Sequence, residues 1–126
     1  MKNIQPIYAT FELSKLLKEK EWQQRTKMVW LDFLGKQHLR EVNLSLELNN
    51  AEYDAPEQWQ VVEWLRVNHG IWVWVRPYKD HAADNNDPIQ HQMNVYKNGV
   101  TVSKEFNSHE EAYSAAFDYI KDNNLI

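Results

Sequence analysis

The stretch Met93-Asn94-Val95-Tyr96-Lys97-Asn98-Gly99-Val100-Thr101-Val102 decides how this chain folds. Apolar residues alternate up to Tyr96, the pattern breaks at Asn98-Gly99, and alternation resumes at Val100. A two-residue type I′ turn needs positive φ at both central positions. Asn-Gly supplies it, so the segment predicts a tight β-hairpin. The turn sets the register: Lys97 opposes Val100, Val95 opposes Val102, Met93 opposes Lys104 and His91 opposes Phe106. Met93, Val95, Val100, Val102 and Phe106 then share a core face. Asn94, Tyr96, Thr101, Ser103 and Glu105 share a wet one. Downstream, Ser108 followed by Glu111 has the spacing of a capping box. Ala112, Tyr113, Ala116, Phe117 and Ile120 recur at helical spacing, which predicts a final helix with a buried stripe.

Upstream of the hairpin the same signals recur. Thr10 can cap a helix over 11–20 whose Leu13, Leu16 and Leu17 form an apolar stripe. Lys27 to Leu34 is a near-continuous apolar run, and Val42 to Leu48 alternates. With Gly35-Lys36-Gln37-His38 read as the turn between them, they predict a first hairpin. Asp54-Ala55-Pro56-Glu57 has the chemistry of a helix start, because Asp accepts free backbone N–H groups and Pro is tolerated in the first turn. Trp59, Val62, Leu65 and Arg66 then follow one stripe, widened by Val61 and Trp64, up to the stop at Asn68-His69-Gly70. Ile71 to Arg76 reads as a strand ended by Pro77, and residues 78–88 as one long polar loop. The order is α-β-β-α-β-β-β-α with no residue-level repeat and no linker. The expectation is a single α+β domain over 1–126, with a mostly antiparallel sheet of about five strands and helices mainly on one face.

Composition narrows the function classes. A chain of 126 residues can bury a sizeable core without staples, and its lack of Cys removes thiol catalysis and zinc–thiolate sites. No window approaches a membrane helix and Met1 to Pro6 lacks an apolar signal region, so a soluble cytoplasmic protein is expected. The net charge of −4 argues against broad phosphate-backbone binding. Aromatic residues make up 13% of the chain, six of them Trp, a content suited to cores and to interfaces.

Two strands are apolar on both faces. In 28–34, Met28, Trp30 and Leu34 alternate with Val29, Leu31 and Phe33; in 71–76, Ile71, Val73 and Val75 alternate with Trp72 and Trp74. With helices on one side only, one set would stand in water and serve as a partner surface carrying Trp30, Trp72 and Trp74, for self-association as a homodimer or for another protein. The alternative is that these are central strands covered on both sides, or that helix 11–20 folds across the second face. A second class of function, metal or small-molecule binding, would use His81, Asp84, Asp87 and His91 in and beside the 80–91 loop. Its spacing matches neither a calcium loop nor a zinc helix, and a solvated hairpin loop is the better reading of it. His69 and His109 sit at helix ends, where terminus chemistry accounts for them. Glycine occurs only at 35, 70 and 99, so no phosphate-cradling loop can form, and no serine has a nucleophile-elbow context. No enzyme activity, cofactor or metal is therefore expected. Residues 56–123 share the element order of a double-stranded RNA-binding domain. The stretch that would grip phosphate, however, is Ser108-His109-Glu110-Glu111, which repels it.

The chain resembles a group of uncharacterised small proteins of gut Bacteroidetes and their phages or prophages. The resemblance rests on Phe11 to Lys20, on Ala55-Pro56 through Val62-Glu63-Trp64-Leu65-Arg66 to His69-Gly70-Ile71, and on Ser108-His109-Glu110-Glu111-Ala112. It implies a mobile-element or accessory gene product, a setting in which small non-enzymatic binders of other proteins are common, and it brings no site residues.

Overall fold

The computed structural model describes residues 5–41, 52–79 and 86–126. It shows an α+β chain with the order α1 (Phe11–Glu19), β1 (Met28–Phe33), β2 (Lys36–Glu41), β3 (Glu52–Asp54), α2 (Gln58–His69), β4 (Trp72–Tyr78), β5 (Gln90–Lys97), β6 (Val100–Phe106), α3 (His109–Asp122). The expected single sheet of about five strands is corrected to two three-stranded antiparallel sheets, ordered β2-β1-β3 and β4-β5-β6. The chain divides into two compact units, Met1–Val61 and Val62–Ile126.

In the first unit, Thr10 caps α1 by accepting from the Leu13 N–H at 3.2 Å, as its sequence position predicts. The helix buries Leu17 and Ser14. Strand β1 is central, with Met28 opposite Glu41 and Phe33 opposite Lys36 on one side, and Val29 opposite Asp54 on the other. The turn into β2 is tighter than the four residues expected. Leu34 and Gly35 take φ of 52° and 78°, so Lys36 to His38 are already strand. The predicted alternation over Val42 to Leu48 lies outside the described residues. The Asp54 helix start is also corrected: Asp54 ends β3, and α2 begins at Gln58. Its carboxylate is used elsewhere, accepting from the Thr26 backbone N–H and hydroxyl, both at 3.0 Å. Thr26 in turn accepts from Ala55 N–H at 3.1 Å, so one buried threonine ties the chain before β1 to the end of β3. Beside this knot lies a cavity of about 130 Å³ lined by Ser14, Leu17, Lys18, Trp22 and Asp54.

Along α2 the fully buried positions are Val61 and Leu65, while Trp59, expected on the buried stripe, is 62% exposed. Its indole N–H instead donates to Glu57 at 2.9 Å. The helix stops at Gly70, whose φ of 64° suits a glycine, with the Gly70 N–H donating to the Arg66 carbonyl at 3.2 Å.

In the second unit the hairpin register is the one the sequence predicts, from His91 opposite Phe106 to Lys97 opposite Val100. Asn98 and Gly99 have φ of 52° and 84°, the two positive values a type I′ turn requires. Strand β4 pairs on the other side of β5, Trp72 opposite Tyr96 through Tyr78 opposite Gln90. Helix α3 packs on all three strands. It starts from Ser108, which accepts from the Glu111 N–H at 3.1 Å, and it buries Ala112, Ala116, Phe117 and Ile120. Val73, Met93 and Val95 are the buried residues of the core face, whereas Val100, placed there by register, is exposed at the hairpin end. Among the described residues, no helix is long and apolar enough to cross a membrane.

Candidate functional site

Strand alternation builds the candidate surface. Because Val73 and Val75 point toward the core side of β4, Trp72 and Trp74 point to the other side, where they are 51% and 40% exposed. The register sets three rows across that face: Trp72, Tyr96 and Thr101; Trp74, Asn94 and Ser103; Arg76, Gln92 and Glu105. Tyr96, 38% exposed, joins the two indoles. Sequence alone placed Tyr96 on the wet face but did not single it out. The signal was its register position opposite Trp72.

The other two rows are tied together by polar side chains. Arg76 Nε donates to Gln92 Oε1 at 2.7 Å, and Gln92 Nε2 donates to Glu105 Oε1 at 3.4 Å. One row up, Ser103 Oγ donates to Asn94 Oδ1 at 2.7 Å, and Asn94 Nδ2 donates to the Gln92 carbonyl at 3.3 Å. Asn94 and Gln92 are buried on the central strand, so their amides must be satisfied within the face, and these bonds do so. The result is a sheet face with an aromatic corner, a hydrogen-bonded middle, and one cation and one anion on opposite outer strands. At the aromatic corner the Arg66 guanidinium stands 5.5 Å from the Trp72 ring centroid. Arg66 also bonds Glu63 at 2.8 Å, and that hydrogen bond, with the charge behind it, lowers the Glu63 pKa and raises that of Arg66.

Trp30 belongs to the other unit. It is half-buried on β1, its indole N–H donates to the Ala9 carbonyl at 2.8 Å, and its ring meets Phe11 edge-on at 6.2 Å. Of the alternative loop site, His81 and Asp84 lie outside the described residues and Asp87 is exposed. His91 packs edge-on against His109 at 6.0 Å, and His109 against Tyr113 at 4.9 Å. Partial burial raises the pKa of Tyr113. Among the described residues no group of three or more His, Cys, Asp or Glu side chains is arranged to hold a metal ion. The first turn of α3 carries Glu110 and Glu111, the acidic pair that opposes phosphate binding at that position. No family model, no curated protein and no solved structure matches this chain.

Proposed function

We propose that this protein is a non-enzymatic, cytoplasmic protein-interaction module, of the mobile-element or accessory kind its resemblance implies, and that it docks through the Trp72, Trp74 and Tyr96 face. The observation that carries the proposal is the exposure of two adjacent indoles, 51% and 40%, on one side of a sheet whose other side is packed. Trp, Tyr and Arg are the residues that most often dominate binding energy when an interface closes over them, and all three types stand together here. The test is capture from an extract of the native host with immobilised protein. Wild type is expected to retain a protein that the Trp72→Ala/Trp74→Ala double variant loses while its far-UV circular dichroism stays unchanged. Equal retention by the two would refute the proposal.

A further inference from the structure

Resting on that reading, we infer that the occupant of the aromatic face is a second copy of this chain, related by a two-fold axis running along β5. In a closed dimer built on such an axis, each residue of β4 lies over the residue of the partner's β6 at the same level. The three rows are complementary under that operation. Trp72 and Trp74 meet Thr101 and Ser103 of the second copy, large side chains over small ones, so the indoles have room to descend. Arg76 meets Glu105, and by symmetry Glu105 meets Arg76, so the cation and anion form two opposite-charge pairs. Tyr96 lies on the axis against its own symmetry mate. A two-fold axis across the strands would instead stack Trp74 on Trp74 and Ser103 on Ser103, bulk on bulk and gap on gap. Size and charge together select the axis along β5, and aligned packing of two twisted sheets accommodates it.

The face is three strands wide and about seven residues long, roughly 14 Å by 20 Å at ordinary strand spacings. At about 280 Å² of sheet per copy, that is well below the ~800 Å² per partner of a standard interface, so a weak dimer that forms only at tens to hundreds of micromolar protein is expected.

Charge reversal tests both the occupant and the axis by sedimentation equilibrium between about 10 and 500 µM, the range in which a dimer of that strength dissociates. Wild type is expected to show a monomer–dimer equilibrium. Arg76→Glu and Glu105→Arg each place like charges opposite one another twice per dimer, and each is expected to raise the dissociation constant about 10-fold or more. Mixed in equal amounts, the two variants carry opposite charges at every facing position and are expected to recover the dimer. Thermal melts of each variant confirm that it folds. A dimer indifferent to both reversals, or a mixture that fails to recover, overturns the axis along β5. A monomer throughout the range overturns the second copy as occupant. If a host protein is then still captured in a Trp72- and Trp74-dependent way, the docking face stands with a different partner, and if nothing is captured both proposals fall.

Discussion

The buried knot at Asp54 makes the sharpest stability prediction. Asp54 Oδ1 accepts from the Thr26 N–H and hydroxyl at 3.0 Å each and lies 3.6 Å from Arg25 Nε. Thr26 and Asp54 are 4% and 7% exposed, so a substitution leaves its former partners cut off from bulk solvent. In Asp54→Ala the Thr26 N–H loses its acceptor, which costs about 1–3 kcal/mol for a buried donor. The hydroxyl keeps a second acceptor, the Met28 carbonyl at 2.6 Å, so its loss is smaller. Truncation also enlarges the neighbouring cavity and removes a carboxylate from Arg25, bringing the expected total to about 3 kcal/mol. Asp54→Asn retains an oxygen for the Thr26 N–H and should cost about 1 kcal/mol. Thr26→Val keeps the shape but removes the hydroxyl. Because Ala55 N–H also reaches the Met28 carbonyl at 3.0 Å, the cost should stay near 1–2 kcal/mol. Urea unfolding followed by far-UV circular dichroism ranks the three. With a slope of about 1.5 kcal/mol/M, Asp54→Ala should lower the midpoint by about 2 M. An Asp54→Ala midpoint within 0.3 M of wild type would refute the reasoning, as would an Asp54→Asn variant that falls further than Asp54→Ala.

Other consequences can be checked independently. Gly99→Ala places a Cβ at a φ of 84°, and a loss of about 1–2 kcal/mol in chemical denaturation is expected. Ser108→Ala removes the acceptor for the Glu111 N–H and should cost about 1 kcal/mol, with Ser108→Asp close to neutral because Asp also caps. Glu63, held by Arg66, keeps its charge to lower pH than an ordinary glutamate. Its contribution is therefore present above the ordinary value and fades as pH falls through the lowered one, and in Arg66→Gln its carboxyl should titrate at the ordinary position by NMR. Burial raises the Tyr113 pKa, so its contribution is present below the ordinary tyrosine value and is lost as pH rises through the raised one. Ultraviolet titration should show a late-ionising tyrosine that disappears in Tyr113→Phe.

What was legible in the sequence followed how local the responsible chemistry is. The β5–β6 register and the start of α3 could be read to the residue because Asn98-Gly99 and Ser108 act on atoms within four positions of themselves. Strand β3 was missed for the opposite reason. Asp54 before Ala55-Pro56 has every mark of a helix cap, but its carboxylate is taken by Thr26, 28 residues earlier, a pairing no local pattern announces. Two separate sheets were read as one because strand propensity does not say which edges meet. Trp59 was drawn onto the buried stripe because α2 carries apolar residues around most of its circumference, which leaves the phase of the stripe ambiguous; Val61 and Leu65 define the true inner line. At the candidate site, Trp72 and Trp74 were legible because period-two alternation with Val73 and Val75 puts them together on one side. The setting of Trp30 was not, since its bond to the Ala9 carbonyl depends on a chain segment 21 residues away.

The stability of a single copy accounts for only about half of the indole surface on β4. An indole side chain has on the order of 200–250 Å² to bury, so leaving 51% and 40% of Trp72 and Trp74 in water forgoes about 2–3 kcal/mol each at ~25 cal/mol per Å². A threonine at either position would keep the strand propensity and present no sticky surface. Meanwhile the rest of the face is tied across its strands by side-chain hydrogen bonds from Arg76 to Gln92 to Glu105 and from Ser103 to Asn94. These bonds fix amides and charges that would otherwise need ordering on binding, so the proposed docking would find much of that entropy already spent. Unused apolar energy set beside preordered polar groups is the pattern expected of the docking surface proposed above. The consequence is measurable: because about half of each indole is also buried within the single copy, Trp72→Thr/Trp74→Thr should cost the dilute protein a few kcal/mol in urea unfolding, and at concentrations where the variant is still folded it should abolish association. Association that survives the double substitution in the folded variant would show instead that the exposed indole surface is incidental.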